Sequence, residues 1–212
     1  MGISHFEIFI IATFVLNITP GNDFIYVATQ SVSRGTKAGV LSSTGISLGL
    51  LVHICASVFG LSMLLSKSMI AFDIIKLLGA VYLVYLGIKS FFSKSPGLDD
   101  AIQKNKLSAN KLLRQGFLTN VFNPKVALFF LSFLPQFADS SSSNFSLQLL
   151  LLGGWFIFSG TIVNLCITLL FSKMRTFLFN LKIFWKVQQK ITGIVFIGLG
   201  LKIALSEKNS NS

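Results

Sequence analysis

Six apolar stretches, each long enough to cross a lipid bilayer as a helix, set the strongest limit on how this chain folds. A helix needs about 20 mostly apolar residues to cross the hydrocarbon core. The stretches are Ile8–Gln30, Ala38–Leu65, Met69–Phe92, Phe117–Phe137, Leu147–Phe171 and Val187–Leu205. The sequence therefore predicts an all-α integral membrane protein with six transmembrane helices in contact with membrane lipids.

The composition supports a membrane protein and argues against several other classes. Charged residues make up 12% of the 212 residues, whereas a soluble domain has about 25%. The net charge of +11 does not indicate nucleic-acid binding, because the basic residues lie between apolar stretches and form no single face. The sequence has no phosphate-binding glycine loop, catalytic set or metal-ligand spacing. We therefore expect no enzyme, no cofactor, no metal site and no nucleic-acid partner.

The positions of Lys and Arg predict the orientation of the chain. Most of the 18 basic residues lie in the first, third and fifth connections between the apolar stretches. These connections share one side in a six-span arrangement, and basic loops face the cytoplasm. We therefore expect a multi-pass protein with these connections in the cytoplasm and both termini on the outer side of the membrane.

The long third connection, about residues 93–116, divides one membrane domain (residues 1–212) into repeats of about 1–92 and 117–212. Three spans per repeat give the two repeats opposite orientations, which is the inverted layout of many secondary transporters. The connection reads as a solvated basic linker, with a short amphipathic segment on the inner leaflet as the alternative. Gly45 and Gly49 have the spacing for close helix contact, which leaves a homodimer open.

Proline interrupts the first and the fourth apolar stretch at related places. Proline removes a backbone donor from a helix, so that Pro20 frees the carbonyl of Leu16 and Pro124 frees that of Asn120. Interrupted helices in the two halves of a membrane chain point to a transport site. The simpler alternative is that both prolines only kink their helices and that the nearby asparagines join neighbouring helices.

Each interruption also predicts the start of a new half-helix. Thr19 and Asn123 are good N-cap types, and each precedes a proline at the favoured first helical position. The new N-terminus suits a carboxylate, whereas the carbonyls of the ending half suit an ammonium group. Together they suit a zwitterionic amino acid. The predicted substrate-binding residues are Asn17, Thr19, Pro20, Gly21, Asn22, Asp23, Asn120, Asn123, Pro124 and Lys125.

Lys125 and Asp23 carry opposite charges at the two interruptions. A lysine in the first turn of a helix opposes the helix dipole, and a charge at the bilayer centre costs about 3 kcal/mol or more. We therefore expect an anionic partner for Lys125, either Asp23 in the empty protein or a substrate carboxylate. We expect His53 and Tyr82 to be packed, with a proton relay as the alternative for His53. Asn164 either lines a cavity or bonds a neighbouring helix.

Several motifs together point to a known family. They are Thr19-Pro20-Gly21 with Asp23, Asn120-Val121-Phe122-Asn123-Pro124-Lys125, Phe133-Leu134-Pro135-Gln136-Phe137 and Gly198-Leu199-Gly200-Leu201. In these the chain resembles the LysE/RhtB family of bacterial amino-acid exporters, which includes homoserine- and threonine-type efflux proteins. The resemblance covers nearly the whole chain. One difference is Asn22, where the family commonly has a second proline.

The resemblance implies export of an amino acid or a close derivative across the bacterial inner membrane, with both termini in the periplasm. The export would be driven by proton exchange, with Asp23 as the candidate proton site. A neutral, small or hydroxylated amino acid is favoured over lysine. The alternative is a cation or heavy-metal exporter of the same superfamily, which would need clustered thiols or several carboxylates. A membrane scaffold without transport activity is a third class.

Overall fold

The computed structural model describes residues 6–92, 107–173 and 182–206 as a set of helices. The first half of the chain contains α1 (Phe6–Ile18), α2 (Asn22–Arg34), α3 (Thr36–Cys55), a π-helical segment (Ala56–Leu61), α4 (Ser62–Lys67) and α5 (Met69–Phe91). The second contains α6 (Ala109–Val121), α7 (Pro124–Leu128), a π-helical segment (Phe129–Phe133), a short 3₁₀ helix (Leu134–Phe137), α8 (Phe145–Lys173) and α9 (Lys182–Ser206).

Both predicted interruptions are breaks between helices. The axes of α1 and α2 differ by 48°, and those of α6 and the segment Pro124–Phe137 differ by 47°. By length and composition, Thr36–Leu61 and Phe145–Lys173 are each able to span a membrane. If each bent pair counts as one span, the described residues contain up to four candidate spans. The six-span count and the inverted repeats remain predictions, although α5 and α9 occupy the predicted third and sixth positions.

Glycines bring helix backbones together in two places. A Cβ on Gly116 of α6 would lie 2.5 Å from the carbonyl oxygen of Ser42 on α3, and a Cβ on Gly45 would clash with the carbonyl of Leu113. A Cβ on Gly87 of α5 would lie 2.8 Å from the carbonyl oxygen of Gly193 on α9. Gly45 therefore serves contact within the chain, rather than leaving an open face for a second copy.

Helix α6 begins at Ala109, well before the predicted start of the fourth apolar stretch at Phe117. The Ser108 side chain caps it by accepting from the backbone N–H of Lys111 at 3.3 Å. Leu112 is buried, so the basic first part of α6 also has an apolar face, and this face packs on α3. The hydropathy of the sequence did not indicate the part of α6 before Phe117, because the exposed face of that part is charged. Residues 93–106 of the predicted linker lie outside the described residues.

Phenylalanine side chains make up a large part of the buried core, which also includes Leu16 and Val126 beside the two breaks. The Phe129 ring lies 4.8 Å from that of Phe156 and 5.1 Å from that of Phe133, measured between centroids. Phe9 of α1 packs on Phe137 at 5.2 Å. These contacts join α1, α8 and the segment that follows Pro124, so the two breaks are held against a common core.

Candidate functional site

The second break has the geometry that the sequence predicts. The side chain of Asn123 accepts a hydrogen bond from the backbone N–H of Lys125 at 3.1 Å, and Pro124 takes the first helical position of α7. Asn123 therefore acts as the N-cap, because its extended backbone and short acceptor satisfy a donor that the helix leaves free.

The first break differs, and the prediction that Thr19 caps the new helix is wrong. Helix α2 begins at Asn22, its N-cap is Gly21 in an extended conformation, and no side chain caps it. The Thr19 hydroxyl instead donates to the carbonyl of Val15 at 2.6 Å. Threonine often bonds back to the preceding helical turn, so Thr19 completes α1 and Pro20 lies between the two helices.

The side chain of Lys125 extends from the second break to the first. Its ammonium donates to the backbone carbonyls of Leu16 and Thr19, each at 3.2 Å. The Leu16 carbonyl is the group that Pro20 deprives of a helical partner. Glycine at position 21 leaves room for this crossing, because a Cβ there would lie 3.0 Å from Nζ of Lys125. The cation thus lies at the carbonyl end of α1, where a helix favours positive charge.

A second link runs between the same breaks. The Asn120 side-chain amide donates to Oδ2 of Asp23 at 2.8 Å. The other carboxylate oxygen, Oδ1, is buried and has no hydrogen-bond partner among the described residues. No hydrogen bond or ion pair among the described residues joins Asp23 directly to Lys125. The prediction that Asp23 pairs directly with Lys125 is therefore wrong, because Asn120 and the carbonyls of the first break take their places as partners. The two charged side chains line one cavity.

His53 bonds the carbonyl of Asn120, which Pro124 deprives of its helical partner and which also accepts from the backbone N–H of Asn123 at 2.9 Å. Its Nε2 lies 3.0 Å from the backbone oxygen of Asn120, and its ring stacks on Phe130 at 5.8 Å between centroids. A carbonyl only accepts hydrogen bonds, so Nε2 carries the proton in this arrangement. His53 is buried, and the prediction of a packed histidine is confirmed.

Two cavities meet at the breaks. A narrow inner cavity of about 30 Å³ is lined on its polar side by Asn17, Asp23 and Asn164. A larger cavity of about 370 Å³, which we call the vestibule, includes Lys89 and Ser90 at the end of α5. Thr19 and Lys125 line both cavities. The Lys125 side chain therefore lies on the boundary between them.

The structure brings the predicted site residues together around these two cavities. Nine of them line one cavity or both: Asn17, Thr19, Pro20, Gly21, Asn22, Asp23, Asn123, Pro124 and Lys125. Asn120 lines neither cavity: it is fully buried and donates its side-chain hydrogen bond to Asp23. Among the described residues, no group of three or more His, Cys, Asp or Glu side chains is placed to hold a metal ion.

Apart from Asn164, which was expected either to line a cavity or to bond a neighbouring helix and which lines the inner cavity, the sequence did not single out the residues of the opposite walls. Gly160 and Phe156 of α8 face the inner cavity, and a Cβ on Gly160 would lie 3.0 Å from Oδ1 of Asn17. Tyr82, expected only to pack, lines the vestibule together with Leu86 and Phe196. The spacing of Tyr82 and Leu86 puts both on one helix face, but many apolar pairs in this chain share that spacing.

Comparison with known proteins gives consistent relatives over nearly the whole chain. The family model described as LysE type translocator matches residues 14–207. An uncharacterized membrane protein of Bacillus subtilis (strain 168), YrhP, is 37% identical over 197 residues, which cover 89% of this chain and 93% of the relative. A leucine efflux protein of Enterobacter sp. (strain 638) is 26% identical over 214 residues, covering 96% of each chain. No solved structure matches the chain significantly.

Proposed function

This chain belongs to the LysE type translocator family, and we propose that it is a secondary-active exporter of amino acids in the bacterial inner membrane. The family is one of transporters, and relatives named leucine efflux protein cover almost the full length. Export of an amino acid fits both the family and the chemistry of the two breaks.

One observation carries this proposal: an ammonium group, that of Lys125, already lies on the carbonyls of Leu16 and Thr19. The Leu16 carbonyl is one of the two predicted acceptors for a substrate ammonium, whereas the other, the Asn120 carbonyl, is bonded by His53. We infer an exchange in which the substrate carboxylate draws Lys125 away, while the substrate ammonium takes the vacated carbonyls. Only a molecule with both a carboxylate and an ammonium group can pair with Lys125 and with the vacated carbonyls at the same time, so that no buried polar group is left without a partner.

Asp23 is the proposed proton site. Its buried Oδ1 has no hydrogen-bond partner among the described residues, and an unpaired buried carboxylate oxygen is costly. A proton bound there would remove the charge, whereas Asn120 stabilises the ionised form through Oδ2. Asp23 and Lys125 line the same cavity, so movement of Lys125 toward a substrate changes the cost of ionising Asp23. Proton exchange would thereby be coupled to substrate binding.

The vestibule lies on the side from which an exporter loads. Lys89 and Ser90, at the end of α5, adjoin the basic third connection that we predict to be cytoplasmic. A third cavity, lined by Thr29, Gln30 and Gln115 among others, shares Asn22 and Ile25 with the vestibule. We propose that this arrangement is the state that accepts substrate from the cytoplasm.

Counterflow in proteoliposomes tests the proposal. Proteoliposomes that contain the wild-type protein are loaded with each common amino acid in turn, at two pH gradients. The uptake of the same amino acid in labelled form is then measured. We expect exchange of at least one neutral amino acid that accelerates with the gradient. Absence of exchange with all of them would refute amino-acid export.

The proton site needs its own variant. Asp23→Asn keeps the shape but cannot change charge, so we expect counterflow to persist and its response to the pH gradient to disappear. Asp139→Asn, in the loop before α8, is the matched control and should respond as wild type does. The cation-exporter alternative stays a prediction that no described residue cluster favours.

A further inference from the structure

We propose that Tyr82, Leu86 and Phe196 form the subsite for the substrate side chain and that they select neutral amino acids with bulky apolar side chains. This inference rests on the proposed function, because it assumes that an amino acid occupies the vestibule. All three residues line that cavity. They belong to α5 and α9, which contribute none of the predicted site residues.

The vestibule has two chemically different walls. One wall comes from the breaks and contains Thr19, Asn123 and Lys125, which offer hydroxyl, amide and ammonium groups. The other comes from α5 and α9 and contains Tyr82, Leu86 and Phe196, with Lys89 and Ser90 at the end of α5. The cavity of about 370 Å³ lies within the usual range of small-molecule sites, roughly 300–1,000 Å³, which combine an apolar lining with a few polar groups. The polar wall would hold the backbone end of the substrate, which leaves its side chain against the apolar wall.

The apolar wall is held by close contact between helix backbones. A Cβ on Gly200 would lie 2.7 Å from the carbonyl oxygen of Ala80, and a Cβ on Gly87 would lie 2.8 Å from that of Gly193. Phe196 lies between Gly193 and Gly200 along α9 and is 2% exposed. Helices joined this closely have little freedom to separate, so the wall sets a fixed limit on side-chain size.

The charges around the vestibule argue against a basic substrate. Its described lining contains two cations, Lys89 and Lys125, and no carboxylate. A lysine or arginine side chain in this cavity would meet like charge without an acidic partner. An apolar side chain gains free energy by leaving water for the wall of Tyr82, Leu86 and Phe196. The wall therefore favours leucine-like side chains over small or hydroxylated ones.

Two substitutions with opposite effects on cavity size test the inference. Counterflow of alanine, leucine and tryptophan is measured in one preparation, so that rate ratios do not depend on the amount of folded protein. We expect wild type to prefer leucine to alanine. Leu86→Phe fills the cavity and should lower the leucine-to-alanine ratio about tenfold, as steric discrimination in apolar pockets allows. Phe196→Ala enlarges the cavity and should raise the tryptophan-to-leucine ratio by a similar factor.

The controls separate this inference from the proposed function. Ile194→Ala removes a side chain of the same helix that is 65% exposed, and it should keep wild-type ratios. If Phe196→Ala does not fold, Leu86→Ala replaces it and should shift the ratios opposite to Leu86→Phe. Active variants with unchanged ratios would overturn the inference and leave amino-acid export standing. A wild-type chain that exchanges no amino acid would overturn both.

Discussion

The ammonium of Lys125 donates a hydrogen bond to the backbone carbonyl of Leu16 at 3.2 Å. Pro20 leaves that carbonyl without its helical partner, and Lys125 follows the other proline, Pro124. The first break is thus satisfied by a side chain that the second break supplies. Asp23, at the first break, likewise accepts from Asn120 of the second break. Two links, both donated by the second break, therefore hold the breaks together, so a change at one break alters the other.

Replacing Lys125 tests the first link. Lys125→Met keeps most of the side-chain volume but removes the donor, so the Leu16 and Thr19 carbonyls lose its hydrogen bonds at a cost of about 1–3 kcal/mol. We expect counterflow to fall at least about tenfold, because a buried charged partner typically contributes that much to binding. Lys37→Met, at an exposed position on α3, serves as the control. Normal counterflow in Lys125→Met at equal protein levels would exclude Lys125 from the site.

Gly21 is predicted to act through Lys125 rather than through its own backbone. Its extended conformation suits any residue, but a Cβ would press on Nζ of Lys125. Gly21→Ala should weaken apparent substrate affinity about fivefold, a coupling expected of groups in contact. The same change in a Lys125→Met background should have no further effect. Equal losses in both backgrounds would mean that Gly21 matters for another reason.

The two residues before the prolines should differ in their effect on stability. Asn123→Ala removes the N-cap of α7 and should lower the free energy of unfolding by about 1 kcal/mol, whereas Asn123→Ser should restore most of it. Thr19→Val removes no N-cap, so we expect a smaller loss. Thermal unfolding of the purified variants in detergent compares the three. A larger loss at Thr19 than at Asn123 would contradict the capping geometry.

Glycines within helices should tolerate a methyl group only where space allows it. Gly45→Ala places a Cβ against the Leu113 carbonyl and should cost about 1–3 kcal/mol by overpacking the contact of α3 with α6. Gly154→Ala meets nothing within 4 Å and should be neutral or stabilise α8 by up to about 1 kcal/mol. Folded yield after detergent extraction and thermal unfolding measure both. Equal tolerance at the two sites would argue against this packing.

Reporter fusions after Ser212 test the predicted orientation. The basic connections place both termini in the periplasm, so a phosphatase fusion should be active and a fluorescent protein that requires the cytoplasm should be dark. A fusion in the basic connection near residue 100 should give the opposite pair of signals. A cytoplasmic C-terminus would contradict both the predicted inverted repeats and the proposal that the vestibule loads from the cytoplasm.

Local sequence was enough to predict the helical class, both breaks and the residues around them. Proline removes a donor wherever the chain places it, and the cap at Asn123 depends on two neighbouring residues alone. The same local rule failed at Thr19. As an N-cap its hydroxyl would accept from a backbone N–H, but it donates to the Val15 carbonyl instead, and nearest-neighbour chemistry does not decide between these two uses of the hydroxyl.

The tertiary structure decided which groups satisfy one another. Lys125 reaches the Leu16 carbonyl because glycine at position 21 leaves a gap and packing brings α1 beside α7. The apolar wall of Tyr82, Leu86 and Phe196 arises only when α5 and α9 meet around the breaks. A chain rich in apolar helices contains many side chains fit for such a wall, and burial against distant partners selects among them. Sequence periodicity gives each helix its faces, whereas the pairing of those faces is a non-local property of the folded chain.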